Sequence, residues 1–208
     1  FTTRDGLAHD KVVSLLALAS GNLALGTLGG LCLLDPATES FNCLDESDGL
    51  PHEIVLALPE SPAGTLWVGT HDGMARLRVD SRQPVVEQVW RDGDGLPDVR
   101  VNVLTALTSG RLAVGTAAGL AVFDPRANTG EVAGPTRDQF VTAAYEDPRG
   151  ALWVTSTDGL LRLAGAGSTH WGVAEGLPHR LCSFAIGDGS GGMWIGTNRG
   201  LVWFEGGR

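Results

Sequence analysis

Residues 65–77 read Thr65-Leu66-Trp67-Val68-Gly69-Thr70-His71-Asp72-Gly73-Met74-Ala75-Arg76-Leu77, and the heart of this stretch occurs five times in the chain. The other copies are Gly26-Thr27-Leu28-Gly29-Gly30-Leu31, Gly115-Thr116-Ala117-Ala118-Gly119-Leu120, Thr155-Ser156-Thr157-Asp158-Gly159-Leu160 and Gly196-Thr197-Asn198-Arg199-Gly200-Leu201. Their spacings of 43, 46, 40 and 41 residues match the length of a four-stranded propeller blade. The chain is therefore an array before it is anything else.

Twenty residues before each copy lies a second phrase: Gly6-Leu7-Ala8-His9, Gly49-Leu50-Pro51-His52, Gly95-Leu96-Pro97-Asp98 and Gly176-Leu177-Pro178-His179. The fourth repeat keeps only the spacing, with Pro135-Thr136-Arg137-Asp138. Between the phrases the sequence predicts a first strand, such as Ile54 to Leu58 or Val101 to Thr105, then a turn ending in Gly21, Gly64, Gly110, Gly150 or Gly191. A second strand follows at once: Leu23 to Leu25, Leu66 to Val68, Leu112 to Val114, Leu152 to Val154 and Met193 to Ile195. These runs are apolar at every position, so both faces of the strand are buried. Blades packed face to face around a ring have that property, whereas a two-sheet sandwich keeps wet outer faces.

The glycine before Leu31, Met74, Leu120, Leu160 and Leu201 predicts a three-residue hairpin loop closed by a glycine at positive φ. That register sets Trp67 against Leu77, Ala113 against Phe123 and Trp194 against Phe204, and makes the six tryptophans core material. A fourth, outer strand is expected at Phe41 to Leu44, Val89-Trp90 and Thr169 to Trp171. It is weakest at Asn128 to Val132, where the pattern almost dissolves.

The expected architecture is an all-β, five-bladed propeller of four-stranded antiparallel blades at about 8–48, 51–94, 97–134, 137–175 and 178–208 plus 1–7. Because Phe1 to Leu7 matches Trp171 to Leu177, the N-terminus is expected to supply the fourth strand of the last blade and so close the ring.

Composition narrows the function. The net charge of -9, with Lys11 as the only lysine, argues against a nucleic-acid or anionic-membrane surface, since phosphates are held by clustered cations. No apolar run approaches the roughly 20 residues of a membrane span, and no leader is evident. Cys32, Cys43 and Cys182 fit no metal-binding spacing. Cys32 and Cys43 would face each other if the hairpin between them pivots about Ala37-Thr38. They are read either as a bridge suited to an oxidising compartment or as two small half-buried thiols.

The residues Asp48 to Met74 and Glu175 to Leu201 resemble the two-component regulator propeller repeats, whose unit reads roughly D-G-L-P, a strand, D-x-x-G-x-L-W-V-G-T, x-x-G-L and an aromatic strand. The resemblance spans essentially the whole chain, with five copies where seven per ring is usual in that family. It implies an extracytoplasmic sensing module of a bacterial protein, linked to binding of oligosaccharides or other small molecules.

In a propeller of this connectivity the link between blades and the hairpin joining second and third strands emerge on one face. The candidate ligand- or partner-binding groups there are His9, His52, Asp98, Asp138 and His179, with the hairpin tips His71, Asp72, Asp158, Asn198 and Arg199. Taken singly, His9, His52 and their equivalents are expected to cap the turn after Gly-Leu-Pro by bonding local backbone. Neither a cofactor nor a metal is expected, since no His-x-His or Glu-x-x-His spacing reinforces the ring.

No nucleophile motif or phosphate-cradling loop is present, and Asp147 and Asp188 read as turn formers. A propeller lyase or hydrolase would have to use His52 or His179 at the channel mouth. The leading expectation is a non-catalytic periplasmic or extracellular binding module for a small polar ligand or glycan. The alternative is a scaffold presenting a face or rim to partner chains in a membrane-associated complex.

Overall fold

A computed structural model of the chain describes residues 1–80, 83–188 and 192–205; Gly191 lies outside them. The strands fall into five consecutive antiparallel meanders. The first blade holds β1 (Val12–Ala17), β2 (Leu23–Thr27), β3 (Gly30–Asp35) and β4 (Ser40–Leu44). The second holds β5 (Val55–Ala57), β6 (Thr65–Thr70), β7 (Gly73–Arg78) and β8 (Val85–Trp90). The third holds β9 (Val101–Ala106), β10 (Leu112–Thr116), β11 (Gly119–Asp124) and β12 (Thr129–Val132). The fourth holds β13 (Val141–Glu146), β14 (Leu152–Ser156), β15 (Gly159–Ala164) and β16 (Gly167–Trp171). The last sheet has three strands, β17 (Cys182–Gly187), β18 (Gly192–Thr197) and β19 (Gly200–Glu205). The segment expected to dissolve, Asn128 to Val132, does form an outer strand, β12, paired to β11.

Consecutive blades share their cores, which is why the strands are apolar on both faces. Leu18, Ala24 and Leu31 of the first blade pack with Val55, Leu66 and Leu77 of the second. Trp67, Met74 and Trp90 of the second meet Val101, Leu112 and Phe123 of the third. The same contact repeats between the third and fourth blades, around Leu120, Val141 and Val154, and between the fourth and fifth, around Leu160, Ile195 and Phe204. Aromatic pairs reinforce these seams, with Trp153 stacked on Trp171 at 5.6 Å and both edge-on to Phe204.

In the first three blades the glycine of the Gly-Thr phrase lets the next blade close in. A Cβ on Gly26 would lie 2.8 Å from Val55 Cγ1, and one on Gly69 would lie 2.8 Å from Val101 Cγ1. The threonine ties the hairpin. Thr70 Oγ1 donates to the Gly73 carbonyl at 2.8 Å and accepts from Asp72 N–H at 3.2 Å. Thr27, Thr116 and Thr197 repeat both bonds, and Ser156 accepts the second of them where the fourth copy shifts to Thr155-Ser156.

Two expectations about the blades are corrected. The hairpins have two-residue loops, not three: Thr70 pairs with Gly73, so Trp67 faces Arg76 and Leu66 faces Leu77. Likewise Ala113 faces Val122, and Trp194 faces Trp203. The glycine stays in the ladder because the carbonyl of the outer strand's last residue passes over it. A Cβ on Gly73, at φ 110°, would sit 2.3 Å from the Trp90 oxygen. Gly30 and Gly159 stand in the same relation to Leu44 and Trp171.

The second correction concerns closure. Phe1 to Leu7 forms no strand, and β17–β18–β19 is not completed from the N-terminus. The match to Trp171–Leu177 places only Phe1 on the strand side, because β16 ends at Trp171. The residues that follow are linker: Thr3–Asp5 is a 3-10 turn capped by Thr2, as Glu46–Asp48 is capped by Asp45. This linker packs on its own first blade, where the Phe1 ring meets Phe41 at 5.3 Å. Trp194 and Trp203 accordingly are not core residues, being 41% and 40% exposed on the free face of the last blade.

Cys32 and Cys43 face each other across β3 and β4 and are joined in a disulfide. Cys182 is a buried free thiol, and burial pushes its pKa up to about 11, which keeps it protonated and unreactive.

Candidate functional site

The interblade linkers and the tips of the β2–β3, β6–β7, β10–β11, β14–β15 and β18–β19 hairpins lie on one face, laced by backbone bonds. Leu28 N–H reaches Lys11 O, His71 N–H reaches Ile54 O, and Asn198 N–H reaches Leu181 O. Thr157 N–H reaches Phe140 O, and Asp138 N–H reaches Ala118 O. Each linker group is thus held beside a hairpin tip.

The linker groups do cap their turns. His9 Nδ1 accepts from Lys11 N–H at 2.9 Å, His52 Nδ1 from Ile54 N–H at 3.0 Å and His179 Nδ1 from Leu181 N–H at 3.0 Å. Asp98 Oδ1 does the same for Arg100 N–H at 2.8 Å. An imidazole that accepts at Nδ1 carries its proton on Nε2 when neutral, so these three rings present an N–H donor away from the turn. Asp138 differs: it sits at φ 61° and is tied through its main chain, because the fourth linker lacks the Gly-Leu-Pro phrase.

Among the described residues, His52 and His71 are the expected groups whose side chains meet, with ring centroids 5.5 Å apart and planes tilted by 44°. Asp72, next in the hairpin, accepts from Arg91 Nη1 at 2.7 Å, while Arg91 Nη2 donates to Pro51 O at 3.2 Å. The second blade therefore gathers two imidazoles, a carboxylate and a guanidinium within one patch. Both partners of the ion pair are about half exposed, so the bridge adds little stability and its groups stay within reach of solvent. Elsewhere the expected groups stay apart: Asn198 and Arg199 are exposed at their hairpin tip, and Asp158 is engaged through its carbonyl, bonded to His170 Nε2 at 2.7 Å.

Arg91 and His170 were missed by sequence reasoning. Both belong to the end of an outer strand, Arg91 directly after Trp90 and His170 directly before Trp171. Since that strand end runs over the hairpin glycine, its side chains reach the tip; Arg91 Cγ lies 3.3 Å from where a Gly73 Cβ would be. A long polar residue beside the outer-strand tryptophan was the available signal.

No three or more metal-ligating side chains gather among the described residues, and no described helix is long and apolar enough to cross a membrane.

No family model and no curated protein matches the sequence. Solved structures do. The extracellular domain of a protein described as a hybrid two-component system, BT4673 of B. thetaiotaomicron, superposes with a TM-score of 0.78 at 20% identity over 96% of this chain. PorZ, a surface component of the type-IX secretion system of Porphyromonas gingivalis, gives 0.77 at 16% identity over 97%. Virginiamycin B lyase of Staphylococcus aureus gives 0.69 at 13% over 94%. The chain spans 29% of the first of these proteins, 33% of the second and 70% of the third. These likenesses define the class as an array of propeller blades.

Proposed function

We propose that this chain is a non-catalytic binding module of a bacterial extracytoplasmic protein, and that it takes a small polar ligand or a glycan on the face formed by its linkers and hairpin tips. The observation that carries this reading is the His52–His71–Asp72–Arg91 patch, which sets ring faces, N–H donors and a carboxylate side by side at a partly exposed surface. Neighbouring hydroxyls of a sugar are bound by such a mixture of donors and acceptors beside a flat ring. The imidazoles do not suit general-base chemistry as they stand, because His9, His52 and His179 already use Nδ1 on local backbone. The Cys32–Cys43 bridge supports an oxidising compartment, and BT4673 and PorZ are described as extracellular or surface proteins.

The test is an array of bacterial and host oligosaccharides probed with the wild-type chain and with His71→Ala/Asp72→Ala. Binding that falls at least about tenfold in the variant agrees with the patch, since each lost ligand hydrogen bond to a charged or polar group costs on the order of 1–3 kcal/mol. Undiminished binding removes the patch from the reading. A second reading, a scaffold for partner chains, is favoured by the exposed apolar face of the fifth blade.

A further inference from the structure

The seams between blades are not filled alike. Between the second and third blades Trp67, Trp90 and Phe123 form one aromatic cluster, with rings 5.4 Å apart at each contact and the Arg76 guanidinium 6.0 Å from the Trp67 ring. Between the fourth and fifth, Trp153, Trp171 and Phe204 repeat the cluster, and the Arg162 guanidinium lies 5.6 Å from the Trp153 ring. Between the third and fourth blades the same four places of the repeat hold Ala113, Ala133, Leu163 and Val122. Most of the side-chain volume that closes the other two seams is therefore missing from this one.

What remains is a cleft of about 450 Å³. Val122, Ala133 and Leu163 line it, and so does Leu107, which stands where Ser61 and Asp147 accept the indole N–H groups of Trp67 and Trp153. The cleft thus opens where the rings of the other seams lie. The first seam also lacks the rings, yet its Leu33, Leu44 and Leu77 are buried in one cluster, whereas Val122, Ala133 and Leu163 are only half-buried. Both flanking blades have all four strands, so no strand of the array is missing from this place.

The rim carries a charge that the seam leaves unanswered. Glu131 stands opposite Val122 across β11 and β12, is exposed, and enters none of the ion pairs among the described residues, which join Arg76 and Arg78 to Glu87 and Arg91 to Asp72. In the second blade an outer-strand carboxylate, Glu87, holds Arg76 at 3.2 Å. In the third blade the carboxylate stays and the cation is replaced by Val122. With Glu146 and Arg111 also in the wall, the cleft presents two carboxylates against one guanidinium.

We propose that this cleft is a binding site for a small planar aromatic amine, a fused two-ring system that takes the place of the missing indoles and sets its ammonium beside Glu131. The ring system gains the apolar walls of Leu107, Val122 and Leu163, and the volume admits it, since sites for such ligands run upward from about 300 Å³. The ammonium answers the charge of Glu131, as Arg76 answers Glu87 beside its own tryptophan. This goes beyond the glycan reading, because it concerns another seam and another chemical class of ligand.

The experiment follows the methyl groups of the full chain by NMR as tryptamine is added, with its neutral counterpart tryptophol as control. Saturable binding is expected below about 1 mM tryptamine, with the largest shifts at Leu107, Val122 and Leu163. Ala133→Trp restores the outer-strand tryptophan of the neighbouring seams, and should weaken binding at least about tenfold without lowering the melting temperature. Glu131→Gln, on the exposed rim, should weaken tryptamine binding about threefold and leave tryptophol binding unchanged. His71→Ala/Asp72→Ala should bind tryptamine as the wild type does, which separates this site from the patch on the second blade. No saturation by about 1 mM, shifts centred on the exposed Trp194 and Trp203, or undiminished binding to Ala133→Trp overturns the proposal. So does Glu131→Gln binding tryptamine as tightly as the wild type, or losing both compounds equally. Should Ala133→Trp fail to fold, the methyl shifts and Glu131→Gln decide the matter alone.

Discussion

The second and fifth blades carry nearly the same words, Leu66-Trp67-Val68-Gly69-Thr70 and Met193-Trp194-Ile195-Gly196-Thr197, and meet different fates. Trp67 is buried between blades, with its indole N–H on the Ser61 carbonyl at 3.0 Å. Trp194 stands on an open face beside Ile186, Phe184 and Trp203. Even the blade's glycine shows the difference: against Gly69 lies a valine of the next blade, whereas the space over Gly196 holds the blade's own Phe184 ring. Burial in a repeat array is thus decided by the neighbour, and the local phrase only makes the strand fit to be buried.

Substitutions at matched positions sharpen this contrast. Leu66→Ala should cost about 2–5 kcal/mol in chemical denaturation, the range for a buried leucine, while Leu201→Ala should cost less than about 1 kcal/mol. Equal losses would break the comparison. Next in size are the hairpin glycines. Gly73→Ala meets both an unfavourable φ and the Trp90 carbonyl, and should cost about 3 kcal/mol; Gly200→Ala meets only the φ and should cost about 1 kcal/mol.

The first blade supplies a different means of holding an outer strand. Reducing the Cys32–Cys43 bridge, which spans a separation of 11 residues, should lower stability by about 2–3 kcal/mol, read as a drop in melting temperature on adding dithiothreitol. Cys43→Ser should melt like the reduced protein and not respond to the reductant.

The smallest effect is electrostatic. Asp147 is opposed by partial burial, yet the Trp153 indole N–H and the Ala151 and Arg149 N–H groups hold its pKa below the ordinary 3.8. A carboxyl held low contributes stability that is complete above its unfolded pKa and is lost as pH falls through the folded value. The wild type should therefore lose stability more steeply below about pH 4 than Asp147→Asn, measured by urea midpoints across pH 2–6.

Most of the blade was legible in the sequence, because a repeated apolar run with glycine punctuation has few other solutions. The Gly-Thr and Gly-Leu-Pro phrases placed the inner strands, the hairpin tips and the capping of His52 and His179. The hairpin register was misread by one residue. The clue lay outside the hairpin, in an outer-strand carbonyl that crosses Gly73 and that no local pattern reveals.

Closure was misread for a related reason. The likeness of Phe1–Leu7 to Trp171–Leu177 is real, but nearly all of it is linker, and periodicity alone did not say where β16 stops. At the candidate site, sequence supplied His52, His71 and Asp72, while Arg91 came from an outer strand too variable to align. His9, Asp98 and His179 proved to be the same turn-capping device repeated, so folding alone accounts for their recurrence.

The most direct test is amide hydrogen exchange read on β7 and β19 in a single sample. Covered on both edges, Gly73–Arg78 should exchange at a rate set by opening of the whole domain, whereas Gly200–Glu205 should exchange faster by at least about a hundredfold along its open edge. Equal protection of the two strands would contradict an open fifth blade.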